Sequence, residues 1–102
     1  MGKRLITILL VLLTIGVQVF AQSAVSGKVT DKTGEPLVGA GVLVKGTTSG
    51  TTTDLDGKFS LQGLKQNAVL VFSSIGYETQ EVTVGNQTVI NVTLNEEAEF
   101  LN

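Results

Sequence analysis

After residue 22 the sequence consists of short apolar stretches separated by turn residues, and this pattern constrains the fold more than any other feature. Val25 and Val29 alternate with polar neighbours, and residues 90–94 place an apolar side chain at every second position. A period of two is typical of strands with one buried face. Residues 68–72 are continuously apolar, which suits a central strand covered on both faces. No stretch here has a helical period, so we predict an all-β chain, a Greek-key β-sandwich of about seven strands.

The strongest turn signal in the chain is an Asp-x-Asp-Gly stretch. Asp54 and Asp56 precede Gly57, which can adopt a positive φ, and aspartate carboxylates accept hydrogen bonds from nearby backbone N–H groups. Asp-Gly between two strand-like runs is typical of a β-hairpin. We therefore predict a structural turn at these three residues, with residues 50–53 and 58–61 as the arms of one hairpin.

The same letters occur twice at a fixed spacing. Residues 26–34 and residues 49–57 both read Ser-Gly-x-x-Thr-Asp-x-x-Gly. A duplicated unit is one explanation, and a shared way of passing from a strand into a turn is the other. Two copies fall short of a repeat architecture, so we favour the second explanation.

The N-terminus has the three parts of a secretory signal peptide. Lys3 and Arg4 precede a long uncharged, mainly apolar run, and small residues before Gln22 favour cleavage after Ala21. The alternative is an uncleaved transmembrane anchor, but the run is shorter than the ~20 residues that span a bilayer. The chain has no cysteine, which excludes a lipidated N-terminal Cys. We predict a signal peptide over residues 1–21 and export of the rest.

The exported part would comprise a domain over residues 22–95 and an acidic C-terminal linker over residues 96–102. Because Lys3 and Arg4 are two of the seven basic residues, five remain against nine acidic ones. This balance argues against nucleic acid and anionic lipid as partners, since phosphate binding needs clustered Lys and Arg. Without cysteine there is no disulfide, so an apolar core alone must stabilise the domain.

The residues give little support to catalysis or metal binding. The chain has no histidine and no cysteine, which removes the commonest general base, the thiol nucleophile and the usual zinc ligands. Ser73 and Ser74 lack the first glycine of a nucleophile elbow. Asp54 and Asp56 lie in one tight turn, and a calcium loop starting at Asp54 would place Lys65 where a glutamate is required. We predict no enzymatic activity, no cofactor and no metal site.

Sugar binding would require exposed aromatic side chains. Phe59 and Phe72 fall on apolar strand positions and are expected in the core, and Tyr77 is expected at the rim with its ring buried. Phe100 is the remaining aromatic residue after the signal segment. A sugar-binding module is therefore weakly supported.

Five ordered segments resemble a known family. They read Val-Ser-Gly-Lys-Val-Thr-Asp from residue 25, Gly-Glu-Pro-Leu-Val-Gly-Ala from 34, Val-Lys-Gly-Thr from 44, Thr-Asp-Leu-Asp-Gly-Lys-Phe from 53 and Phe-Ser-Ser-Ile-Gly-Tyr from 72. This series is similar to the carboxypeptidase-regulatory-like domain, in the form found at the N-terminus of SusC/RagA-type TonB-dependent outer-membrane transporters of Bacteroidota. The matching motif residues are Gly27, Asp31, Gly34, Pro36, Gly39, Gly46, Phe59, Gly76 and Tyr77.

The resemblance implies a transthyretin-like (prealbumin-like) sandwich at the periplasmic face of the outer membrane, without a catalytic role. Its expected partners are the plug and barrel of the same transporter, the TonB system and surface lipoproteins, and it would reach the membrane only through that barrel. Residues 99–102 fall where the connection to a TonB box would begin, so a truncated or partial transporter assisting uptake of glycans or peptides is expected. The alternative is a stand-alone secreted or cell-surface module for interaction or adhesion.

Overall fold

A computed structural model describes residues 23–98. The predicted signal peptide with its cleavage site at Ala21 and Gln22 lies outside the described residues, and so does Phe100. Between residues 23 and 98 the chain forms strands, turns and bends but no helix. Consequently no helix long and apolar enough to span a bilayer occurs in that part of the chain.

Seven strands build two sheets. The strands are β1 (Ser23–Thr30), β2 (Gly41–Val44), β3 (Gly50–Thr52), β4 (Lys58–Leu64), β5 (Val69–Ser73), β6 (Gln80–Thr83) and β7 (Val92–Thr93). One sheet has the order β4-β1-β7 and the other the order β3-β2-β5-β6. The predicted all-β sandwich is confirmed.

β1 is the central strand of the smaller sheet, with β4 antiparallel on one side and β7 parallel on the other. The segment before β7 is also attached to β1, because the Ile90 N–H donates to the Ser26 carbonyl at 2.9 Å. Gly27 allows this close approach. A Cβ at that position would lie 1.7 Å from the Ile90 carbonyl oxygen, so any larger residue would push the two segments apart.

The predicted hairpin around Asp54 is wrong, although the turn itself is present. β3 pairs with β2, whereas β4 pairs with β1 in the other sheet. β3 already has a neighbour through a short preceding turn, in which the Val44 N–H donates to the Ser49 carbonyl at 2.9 Å. The Asp-Gly signal fixes the local backbone, but it does not determine which strand each arm pairs with. The turn therefore carries the chain from one sheet to the other.

The apolar core lies between the sheets. Its buried members are Val25, Val29, Ala40, Val42, Phe59, Leu64, Leu70, Phe72, Val84, Ile90, Val92 and Leu94. Phe59 and Phe72 meet edge to face across the two sheets, with ring centroids 5.3 Å apart and an interplanar angle of 70°. β5 is an interior strand as predicted, but Val69 and Val71 on its outer face are only half-buried. Full burial contributes about 1.5–3 kcal/mol for each large apolar side chain, so this core is the main source of stability.

Candidate functional site

Most of the motif residues lie at one end of the sandwich. Gly41 stands opposite Thr52 and Ser73, so β3 and β5 finish where β2 begins. Lys28 stands opposite Lys58, so β1 nears its end where β4 begins. Because residues 53–57 connect β3 to β4, the two sheets share this end, which we call the apical end. The first described residues lie at the opposite, basal end, where Ser23 pairs with Leu64.

The turn that contains Asp54, Asp56 and Gly57 lies at the apical end. The Gly57 N–H donates to the Asp54 carbonyl at 2.9 Å, and the Asp54 N–H donates to the Lys58 carbonyl at 2.9 Å. The Asp54 carboxylate accepts from the N–H groups of Asp56 and Lys58, each at 2.9 Å. Gly57 has a φ of 74°. Asp54 thus stabilises the turn through its side chain, and Gly57 supplies the conformation that other residues rarely adopt.

A second turn, at residues 31–35, has the same geometry. The Gly34 N–H donates to the Asp31 carbonyl at 3.1 Å, and the Asp31 N–H donates to the Glu35 carbonyl at 2.9 Å. The Asp31 carboxylate accepts from the N–H groups of Thr33 and Glu35 at 2.8 and 3.1 Å, and Gly34 has a φ of 88°. The repeated letters in the sequence therefore encode one turn type used twice, which agrees with the second explanation above.

The Asp31 carboxylate has one further donor. The Thr33 hydroxyl donates to it at 2.6 Å. This bond lowers the pKa of Asp31 below its usual value, and the backbone N–H groups of the turn act in the same direction against partial desolvation.

Thr53 joins the loop at residues 37–40 to the Asp54 turn. Its side chain is buried, and its hydroxyl donates to the Leu37 carbonyl and accepts from the Ala40 N–H at 2.9 Å. The Gly39 N–H donates to the Thr53 carbonyl at 3.1 Å, which places Gly39 beside the turn. Sequence reasoning included Thr53 in the repeated pattern but gave it no role of its own, because the pattern does not reveal its partners Leu37 and Ala40.

Tyr77 lies at the apical end, in the segment that connects β5 to β6. Its N–H donates to the Ser74 carbonyl at 3.0 Å across a turn in which Gly76 has a φ of 87°. The Tyr77 side chain is half-buried against the core. Loss of solvent around the ring raises the pKa of Tyr77, and the nearby carboxylates of Asp31, Glu96 and Glu35 raise it further.

The beginning of the segment predicted as a linker is attached to the sandwich. The Glu97 N–H donates to the Gly76 carbonyl at 2.9 Å, and Tyr77 and Glu96 form an isolated antiparallel bridge. The chain therefore passes residue 97 at the apical end, beside the Tyr77 turn.

Three of the motif residues lie away from the apical end, and Pro36 belongs to it. Gly27 and Phe59 belong to the inner face of the smaller sheet, and Gly46, with a φ of 80°, turns the chain at the basal end. Pro36 lies at the apical end against Gly57, whose Cβ, if it had one, would be 2.9 Å from the Pro36 Cβ. The structure thus brings together one group, Asp31, Gly34, Pro36, Gly39, Asp54, Asp56, Gly57, Gly76 and Tyr77.

Two carboxylates of the apical end stabilise the backbone of their own turns. Asp31 and Asp54 each accept hydrogen bonds from N–H groups of the loop that they begin. In residues 23–98 no group of three or more carboxylates is placed to share a metal ion. The arrangement holds the turns in one conformation and so presents a shaped surface.

Comparison with known proteins identifies the family. The family model of the CarboxypepD_reg-like domain matches residues 25–102. The chain belongs to the carboxypeptidase-regulatory-like domain family. It is 45% identical to the TonB-dependent receptor SusC of Bacteroides thetaiotaomicron, over 98% of this chain and 10% of the receptor. It is 46% identical to the TonB-dependent receptor P3 of Formosa agariphila, over 91% of this chain and 10% of that receptor.

This chain spans about a tenth of the length of each of these curated relatives. Among solved structures, a chain of the type II Cohesin–X–Dockerin complex of Acetivibrio cellulolyticus matches with a TM-score of 0.53. That match has 23% sequence identity and covers 70% of this chain and 52% of the other. It indicates a shared β-sandwich fold alone.

Proposed function

We propose that this chain is the non-catalytic N-terminal domain of a SusC/RagA-like TonB-dependent transporter, at the periplasmic face of the outer membrane. The observation that carries the proposal is the 45% identity to SusC, which extends over 98% of this chain. In this role the domain assists the uptake of glycans or peptides, and the plug and barrel that form the transport path lie in the rest of the protein.

The chemistry of the domain supports a binding or positioning role. Histidine and cysteine are absent from the sequence, and the carboxylates of Asp31 and Asp54 accept hydrogen bonds from backbone N–H groups of their own turns. A rigid sandwich with an organised loop end is a common scaffold for recognition. The expected partners are the plug and barrel of the same protein, the TonB system and surface lipoproteins.

The path of the backbone supports the same role. Residues 96 and 97 are hydrogen-bonded beside Gly76 at the apical end. The last hydrogen-bonded residues therefore lie next to the apical turns. In a transporter, this exit point would bring the apical end near the TonB box and plug.

The decisive experiment has two stages. First, the nucleotide sequence after codon 102 should continue in frame into a TonB box, a plug and a barrel. An in-frame stop, with a secreted product of this size, would instead support the stand-alone interaction or adhesion module.

Second, residues 24–97 should be deleted in frame from the complete gene, and growth on candidate glycans and peptides should be compared with the parent strain. We expect slower growth at an equal amount of barrel in the outer membrane. Equal growth on every substrate that requires the transporter would refute a role of this domain in uptake.

A further inference from the structure

Three large aliphatic side chains project into solvent at the apical end. Val38 is 56% exposed, Leu55 82% and Ile75 fully exposed. Leu55 and Ile75 each occupy the second position of a tight turn, and Val38 precedes Gly39, whose φ is 72°. Apolar side chains at turn tips contribute nothing to the core, and these three lie at the same end of the sandwich, where they are available for contact with a partner.

The three tips are held in place by hydrogen bonds. Thr53 connects the loop that bears Val38 to the turn that bears Leu55. The turn that bears Ile75 is attached to residues 96 and 97 through the carbonyl of Gly76 and the bridge at Tyr77. A surface that is ordered before binding loses little conformational entropy on association.

The three exposed side chains are surrounded by more carboxylates than lysines. Seven carboxylates lie at or next to the apical end: Asp31, Glu35, Asp54, Asp56, Glu78, Glu96 and Glu97. Three lysines accompany them: Lys28, Lys32 and Lys58. Within the described range, none of these lysines lies within ion-pair distance of a carboxylate, and the salt bridge found there joins Lys45 to Glu81 away from the apical end. Seven carboxylates against three lysines leave the apical end with a net charge of −4, which favours a positively charged partner.

We propose that Val38, Leu55 and Ile75, which together we call the apical surface, dock onto a folded protein domain that presents Lys and Arg side chains around an apolar depression. Nucleic acid and anionic lipid have the same sign as the apical end and are disfavoured. A second copy of this chain would bring two sets of carboxylates together and is disfavoured for the same reason. The proposal concerns the surface of this chain and does not depend on the transporter assignment.

The first test is photo-crosslinking in the cells that produce the complete protein. The photoreactive amino acid p-benzoylphenylalanine replaces Val38, Leu55 or Ile75 one at a time, and Leu43 as the matched control. Leu43 is 42% exposed but lies on the outer face of the larger sheet. We expect the three apical positions to crosslink to one and the same protein, which mass spectrometry identifies, and the control position to leave that protein uncrosslinked.

The second test measures affinity between the protein identified in this way and the chain, each purified. Leu55→Ser and Ile75→Ser should each raise the Kd at least about tenfold, as expected for anchors at the centre of an interface, whereas Leu43→Ser should leave it unchanged. Glu96→Gln should lower the association rate and weaken its dependence on salt. Unchanged melting midpoints of these surface variants would show that folding is not the cause.

Several outcomes would overturn the proposal. They are different crosslinked proteins at the three positions, a crosslink to a second copy of this chain, no crosslink at any of them, or an acidic partner. An affinity that is insensitive to Leu55→Ser or to salt would overturn it as well.

Discussion

Two turns at the apical end have the same backbone but different surroundings. In both, an aspartate carboxylate accepts two N–H groups of its own loop, and a glycine three residues later has a positive φ. The turn at residues 31–35 leaves β1 for an exposed loop, whereas the turn at residues 54–58 carries the chain between the two sheets. The same sequence pattern therefore determines the local conformation, and the packing around it determines how much a substitution costs.

The two glycines show this difference most clearly. Gly34 is exposed, and a Cβ there would meet no atom within 4 Å. Gly57 is buried, and a Cβ there would lie 2.7 Å from the Val29 carbonyl oxygen and 2.9 Å from the Pro36 Cβ. A side chain at residue 57 would thus disturb β1 and the loop that follows it.

The largest effect is expected from Gly57→Ala with Gly34→Ala as its matched control. Gly34→Ala should lower the free energy of unfolding by about 1–2 kcal/mol, because alanine is strained at positive φ. Gly57→Ala carries that strain together with an overpacking cost of about 1–3 kcal/mol. Urea unfolding of the two variants and the parent measures the difference. Equal losses in the two variants would show that the contacts around Gly57 do not restrict it.

A smaller effect is expected from removing the carboxylate that stabilises the second turn. Asp54→Ala loses the acceptor for two backbone N–H groups and should lower the free energy of unfolding by about 1 kcal/mol, as loss of a helix N-cap does. Asp56→Ala is the control, because the Asp56 carboxylate makes no hydrogen bond to any residue between 23 and 98. It should change stability by less than about 0.5 kcal/mol. If the two variants unfold at the same urea concentration, the Asp54 side chain does not support the turn.

These comparisons also show what a sequence of this kind can reveal. The sequence predicted about seven strands and the turns between them, because both depend on local backbone geometry. The signals were alternating residues such as Val25 and Val29 and the glycines of the turns. The pairing of β3 with β4 was predicted wrongly, because the Asp-Gly turn does not specify the partner of either strand. β3 pairs with β2, and β4 pairs with β1. The role of Thr53 was missed for a related reason. Its hydroxyl acts on Leu37 and Ala40, which are distant in the sequence.

The apical surface was also beyond prediction from the residues alone. Leu55 and Ile75 occur in turn sequences, and nothing in their spacing indicates that both turns, and the loop with Val38, end at the same side of the sandwich. The sheet order brings them together. Recognition of the family came from the ordered motifs, and it supplied the transporter context that periodicity could not.

The smallest expected effect concerns the pKa of the Asp31 carboxyl group, which distinguishes the first turn from the second. The Thr33 hydroxyl holds the pKa of Asp31 below its usual value of 3.8, whereas the corresponding position of the other turn is Asp56, which has no hydroxyl. A carboxylate whose pKa is lowered on folding stabilises the folded state above its unfolded pKa, and this contribution is lost as the pH falls through the folded pKa.

Thr33→Val removes the hydroxyl and keeps the shape of the side chain. It should raise the pKa of Asp31 towards its unfolded value, so the acid-dependent loss of stability should be smaller and should be complete at a higher pH. Titration of the Asp31 carboxyl carbon by NMR measures this directly, with Thr47→Val at the basal end as the control. If the Asp31 pKa is the same in the Thr33→Val variant and the parent, the hydroxyl does not donate to the carboxylate in solution, and the two turns differ only in the packing of their glycines.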